Sequence, residues 1–178
     1  MLVALDGPSG AGKSTLARAV EAKTGIAVIE GDDFYSGAIA DVWDAMSVEE
    51  RIERCIDWRR QRPVLEALRR GEHATWHPYD WKADDGRLAS AALSRGPARA
   101  AILEGAYSGR PELADLLDLR VLLTAPAELR RERVREREGE RYRAEWEARW
   151  AAAEDCYFAS VVPAERFDLV LDAPDLKQ

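Results

Sequence analysis

Eight residues near the N-terminus, Gly7-Pro8-Ser9-Gly10-Ala11-Gly12-Lys13-Ser14, follow the apolar run Leu2-Val3-Ala4-Leu5 and lead into a helix-forming stretch. The spacing is G-x-x-x-x-G-K-[ST], placed behind a short buried strand and ahead of a helix, the context in which this motif cradles phosphate. Glycines at 7, 10 and 12 let the backbone turn so that successive N–H groups point inward at a β-phosphate. Lys13 can reach the β- and γ-phosphates as an exposed cation, and the Ser14 hydroxyl can ligate Mg²⁺. A glycine-rich strand-to-helix turn that binds nothing would not need Lys-Ser at its end. The motif predicts binding of a nucleoside triphosphate, with Gly7, Ser9, Gly10, Ala11, Gly12, Lys13, Ser14 and Thr15 as the cradle.

Further chemistry-bearing residues stand directly after apolar runs. Asp32 and Asp33 follow Ala27–Glu30. A carboxylate there can orient an acceptor hydroxyl and take its proton, while an Asp at the same place can equally cap a helix. Glu104 ends the run Ala100–Leu103 and suits Mg²⁺, directly or through water; the alternative is a partly buried Glu paired with an arginine. In the charged stretch Glu128 to Arg143, Arg130, Arg133 and Arg137 recur at i, i+3, i+7 and share one helical face. That face can close over a triphosphate, or it can be a solvated face laced with Glu–Arg pairs. Trp76 and Trp81 flank His77-Pro78-Tyr79-Asp80 and can form a platform for a planar ring, whereas Trp146 and Trp150, four apart, read as a cover for the core. His77 reads as an ordinary hydrogen-bonding residue.

The elements that position these groups alternate between short apolar runs and helical stretches, the pattern of a parallel sheet covered by helices on both faces. Strands are expected at Leu2–Leu5, Ala27–Glu30, Ala100–Leu103, Leu119–Leu123 and Leu169–Leu171. Helices are expected at Lys13–Lys23, Val48–Arg70, Pro111–Leu116, Ala127–Glu138 and Arg141 to about Ala159. The segment Ala74–Arg87 breaks the alternation and reads as a strand-and-loop excursion. Ligands of open α/β sheets gather at the carboxyl ends of the strands, where Asp32 and Glu104 lie.

The chain has 178 residues and a net charge of -7. That length fits one domain, and the acidic balance disfavours a nucleic-acid polymer as partner. Met1 runs straight into the first strand, so no signal peptide is expected, and no apolar run approaches membrane-spanning length. Cys55 and Cys156 are far apart and read as small apolar residues in a reducing, cytoplasmic setting.

With these pieces assembled, the chain resembles the uridine kinase family of P-loop nucleoside kinases over most of its length. Asp32-Asp33-Phe34-Tyr35 is similar to the family's D-S-F-Y segment, and Asp57-Trp58 to its F-D segment. Tyr79-Asp80 resembles its Y-D pair. Leu103-Glu104-Gly105, Pro111-Glu112-Leu113, Leu119-Arg120-Val121 and the arginine series then follow in the family's order.

The resemblance implies a three-layer α/β P-loop kinase fold: a parallel five-stranded sheet with helices on both faces, in a single domain over 1–178. An arginine-rich lid is implied at about 128–143 and an acceptor-side loop at about 74–87. It further implies ATP and Mg²⁺ as cofactors and a small-molecule acceptor as partner. Asp32 would be the base, and Tyr35, Asp57, Tyr79 and Trp81 would contact the acceptor. Glu104 and Ser14 would serve the metal, and Arg130, Arg133 and Arg137 would be lid residues meeting the phosphates. Where pyrimidine-reading members carry a His, this chain has Asp84, an acceptor-only carboxylate that favours a donor-rich ligand. Two rival readings remain: a kinase of another hydroxylated metabolite or antibiotic, and an NTP-binding switch that phosphorylates no small molecule.

Overall fold

The computed structural model describes residues 1–173. Five parallel strands form the main sheet: β1 (Leu2–Asp6), β2 (Ala27–Glu30), β5 (Ala101–Glu104), β6 (Leu119–Thr124) and β7 (Leu169–Asp172), in the order β2-β5-β1-β6-β7. Register is set residue by residue, with Leu5 opposite Glu104 on one side and Val121 on the other. Because successive side chains of a strand point to opposite faces, the apolar residues divide between two cores. Leu2, Ile29, Leu103 and Leu122 belong to one cluster, and Leu5, Val28, Ile102 and Val121 to the other. Ala17 of α1 (Lys13–Thr24) packs into the second. The first takes residues of α3 (Val48–Arg54), α4 (Trp58–Arg69) and α6 (Ala144–Cys156), among them Ile52, Leu65 and Ala153. Helices therefore cover both faces, as the alternating pattern predicts.

Helix α5 (Ala127–Glu138) has the predicted bounds and buries none of its residues, in keeping with its lack of an apolar stripe. Other expectations need correction. The stretch expected as one helix, Val48–Arg70, is two. Ser47 opens α3 with a reciprocal capping box to Glu50, and Asp57 opens α4 by accepting the Arg59 N–H at 3.1 Å. Between them the chain bonds to the segment after β2, Ser36 N–H to Cys55 O at 3.0 Å and Asp57 N–H to Phe34 O at 2.9 Å, and those sheet-like bonds interrupt the helix. Pro111–Leu116 shortens to a single tight turn, Pro111–Leu113. The last helix ends at Cys156 and continues as a wider turn, Tyr157–Val161. A short helix, α2 (Ala40–Ala45), was not foreseen; it seats Trp43 in the core.

The aromatic excursion leaves the main sheet as β3 (Ala74–Trp76) and returns as the antiparallel β4 (Leu93–Arg95), with Thr75 opposite Ser94. Among the described residues no helix is long and apolar enough to cross a membrane.

Candidate active site

The glycine-rich loop bridges the end of β1 and the start of α1. Gly10 (φ +78°) lies against α5: a Cβ there would stand 2.3 Å from the Arg130 carbonyl oxygen, so both its backbone conformation and its surroundings require glycine. Ala11 is fully buried, and Gly12 turns the chain into α1 from a left-handed conformation. Ser9, Gly10, Gly12 and Lys13 of the loop, with Ser14 and Thr15, line a cleft of about 360 Å³ together with Asp32, Glu104, Arg133 and Arg137.

Lys13 departs from expectation. The residue is 9% exposed, and Nζ donates to the carbonyls of Gly7 at 2.7 Å and Pro8 at 3.0 Å, closing the loop on itself. The ammonium lines the cleft from within a hydrogen-bonded niche instead of standing out in solvent. Carbonyl partners offset the cost of taking an ammonium out of water.

Asp32 and Glu104 come together because β2 and β5 are neighbours, in register at Glu30 and Glu104, and because the chains just beyond them nearly touch. A Cβ on Gly31 would lie 2.9 Å from Glu104 O. The Glu104 carboxyl is pushed up to about 7, first by burial and then by the negative charge of Asp32, with Lys13 and the Ser14 hydroxyl opposing. Solvent reaches Asp32 through the cleft, yet the protein packed around it raises its pKa as well, against the pull of Lys13 and Arg137. Two crowded carboxyls beside a serine hydroxyl form a hard-oxygen set that a divalent cation would relieve. A Mg²⁺ ion would fit this set, with Ser14 and Glu104 able to serve as donors.

Asp33 faces elsewhere. It accepts the Trp76 indole N–H at 2.8 Å, and Trp76 stacks on Phe34 with ring centres 5.9 Å apart. Trp76 is thus a buried core residue and not a ring platform, because its hydrogen bond and its stacking both turn it inward.

On α5, Arg130 donates from Nη1 to Ser9 O and Arg133 from Nη1 to Gly10 O, both at a long 3.4 Å. Arg137 pairs with Glu138 at 3.0 Å while lining the cleft. One helical face thus carries all three arginines to the loop or its cleft.

The residues expected at the acceptor are spread more widely. Tyr35 (4% exposed) and Tyr79 (3%) are buried in an aromatic cluster, edge to face at 5.0 Å. Trp81, half exposed, stacks on Tyr35 at 5.1 Å. The Asp84 carboxylate accepts the Tyr79 hydroxyl at 2.9 Å, and Asp57 serves as the α4 cap. Trp146 and Trp150 pack on the core through this cluster, as their spacing suggested. A separate depression of about 360 Å³ lies among Tyr79, Trp81, Lys82 and Ala89, away from the loop.

Asp6, directly before the loop, supports the site from the core and was not singled out from the sequence. It is fully buried and accepts four hydrogen bonds, from the N–H groups of Gly7, Tyr107 and Gly109 and from the Tyr157 hydroxyl. Burial dominates and pushes its carboxyl up to about 6. An acid ending a strand was the signal available for it.

A family model described as an AAA domain matches residues 2–159. The chain belongs to the AAA domain family. No match was found among curated proteins. Among solved structures, this AAA domain is similar to a candidate fructose transport system kinase from Silicibacter sp. TM1040, with a TM-score of 0.71 and 23% identity over 96% of this chain and 88% of the other. It is similar to a candidate uridine kinase from Bacillus stearothermophilus, with a TM-score of 0.69 and 21% identity over 97% and 88% of the two chains. A D-glycerate 3-kinase from Cryptococcus neoformans aligns with a TM-score of 0.60 and 13% identity over 97% and 86%. At these identities the likeness establishes a P-loop kinase-like fold, shared by proteins named for different acceptors.

Proposed function

We propose that this AAA domain is an ATP- and Mg²⁺-dependent phosphotransferase that moves the γ-phosphate to a hydroxyl of a small molecule. A nucleoside is the first candidate acceptor, and another hydroxylated metabolite or an antibiotic is the alternative. The observation that carries the reading is the one cleft in which Lys13, Ser14, Asp32, Glu104, Arg133 and Arg137 converge. A carboxylate with no hydrogen-bond partner among the described residues, facing the phosphate cradle as Asp32 does, favours activation of an acceptor hydroxyl over a nucleotide switch. The kinase names of the similar structures agree with this choice.

In the proposed reaction Asp32 orients the acceptor hydroxyl and receives its proton as that oxygen bonds to the γ-phosphorus and the bond to the β–γ bridging oxygen breaks. The raised pKa of Asp32 makes it a better proton acceptor than an ordinary surface aspartate. Lys13 and the loop amides hold the β- and γ-phosphates, and Arg133 and Arg137 supply positive charge on the lid side. Mg²⁺, when bound, supplies charge neutralisation between the phosphates, held on the protein side by Ser14 and Glu104.

The test is ADP release by the purified chain with Mg²⁺-ATP against a panel of nucleosides, sugars and sugar acids, with the product identified by phosphorus NMR. Acceptor-dependent release with a phosphorylated product is expected. Equal release with and without every acceptor would overturn the reading in favour of an ATPase or switch.

A further inference from the structure

Ser9 is gripped from two directions by residues distant in sequence. On its core side the Glu154 carboxylate accepts the Ser9 N–H at 2.9 Å on Oε2 and the Ser9 hydroxyl at 2.6 Å on Oε1. On its lid side its carbonyl accepts from Arg130. Glu154 is 3% exposed, and it does not line the cleft, although Ser9 does. One turn further along, Tyr157 donates to Asp6 at 2.9 Å. A spacing of three on α6 and its continuation thus meets a spacing of three in the loop segment, Glu154 to Ser9 and Tyr157 to Asp6. Residues 3 apart on a helix share a face, which is why one helix end can hold both.

We infer that Glu154 is a positioning residue: through Ser9 it holds the phosphate loop in the arrangement that the lid arginines meet. The inference rests on the kinase reading for what the loop binds. A buried carboxylate is costly unless its oxygens are bonded, and both oxygens here are committed to Ser9. Helix α6 is itself pinned, since Arg149 forms a bidentate pair with Asp44 of α2 at 2.8 Å on each oxygen. It also follows the lid helix after only residues 139–143. Ser9 is thus tied to α5 directly through Arg130, and to the pinned helix that follows α5 through Glu154. The competing idea, that the carboxylate stands in for a phosphate, conflicts with its place beside Ala153 and Tyr157 in the core and outside the cleft.

The experiment uses the full chain and the variants Glu154→Ala, Glu154→Gln, Ser9→Ala and the Ser9→Ala/Glu154→Gln double. Affinity for Mg²⁺ with a non-hydrolysable ATP analogue is measured by calorimetry well below the lowest unfolding midpoint, and kcat is measured in parallel. Glu154→Ala should weaken analogue binding by about tenfold or more, the scale of losing hydrogen bonds to a charged group. Glu154→Gln, which keeps the shape and an acceptor oxygen, should recover most of that loss. The double variant should be no weaker than the worse single, because both changes act on one contact.

If Glu154→Ala fails to fold, Glu154→Gln and Ser9→Ala carry the test, each expected to weaken binding a few-fold. A lower unfolding midpoint with unchanged affinity in every folded variant would overturn the inference, leaving Glu154 a structural residue. Tighter binding would overturn it in favour of phosphate mimicry. Absence of analogue binding by the unaltered chain would instead remove the kinase reading, and the inference with it.

Discussion

The indole N–H of Trp76 donates to Asp33 at 2.8 Å, and this contact separates the roles of two adjacent carboxylates. Asp33 is tied to the hairpin, while the Asp32 side chain makes no hydrogen bond among the described residues and faces the cleft. Asp32→Asn should therefore lower kcat by about 10²- to 10⁴-fold with ATP-analogue affinity retained. Asp33→Asn keeps an oxygen for Trp76 and should act mainly on stability. Steady-state kinetics on both variants check this; a crippled Asp33→Asn beside an active Asp32→Asn would reverse the assignment.

Lys13 is held by the carbonyls of Gly7 and Pro8, so it organises the loop as well as charging it. Lys13→Ala should lower turnover by about 10²- to 10³-fold, the scale of one lost donor to developing charge. The unfolding midpoint should fall only modestly, since the niche stays lined by backbone. Circular dichroism melts beside the kinetics separate the two effects.

The buried carboxyls set a pH dependence of known direction. Asp6 rises from 3.8 to about 6 and Glu104 from 4.5 to about 7 on folding. Between those limits the folded chain holds more protons than the unfolded one, so these groups lower stability as pH rises. The ligand-free protein should melt at a lower temperature at about pH 8 than at about pH 5 on their account. Glu104→Gln should flatten that fall, and added Mg²⁺-ATP should reduce it by favouring the ionised Glu104. Calorimetric scans across the range are the measurement.

Arg133 and Arg137 meet the cleft from a helix that buries none of its own side chains. Such a helix is free to act chiefly on the closed, reacting state. Arg133→Ala and Arg137→Ala should each reduce kcat by about tenfold or more while changing the ATP-analogue Kd less. Unchanged kcat in both variants would reduce the series to a solvated face.

Asp84 already accepts the Tyr79 hydroxyl, which places its charge beside the aromatic cluster. The unaltered chain is expected to use uridine poorly and to prefer a donor-rich acceptor. Asp84→His should improve uridine kcat/KM by about tenfold or more relative to that acceptor, since the site then offers a donor. Efficient uridine and cytidine turnover by both proteins would show that Asp84 does not read the base.

Local signals carried much of this protein. The loop from Gly7 to Ser14 is contiguous, so its glycines, lysine and serine could be read from spacing. The strands were legible because each is a short apolar run, and β2 and α5 end where the pattern ends. Asp32 and Glu104 were legible as acids at strand ends, which parallel order brings to one edge.

Contacts between distant segments were not legible. Glu154 meets Ser9 across 145 positions, and Tyr157 meets Asp6 across 151. Nothing in the residues around Glu154 marks it, because a buried carboxylate is recognisable only by the donors that surround it. The division of Val48–Arg70 into α3 and α4 likewise depends on backbone bonds to Phe34 and Ser36, which no periodicity within the stretch records. Lys13, read as exposed from its motif, is enclosed by carbonyls that the loop's own fold turns toward it. The sequence by itself determined the glycine-rich loop, the parallel strands and helix α5, since each is written in neighbouring residues. Tertiary structure alone decided which of Asp32 and Asp33 is free, how α6 grips the loop and which aromatics are buried, since those depend on partners brought together only by folding.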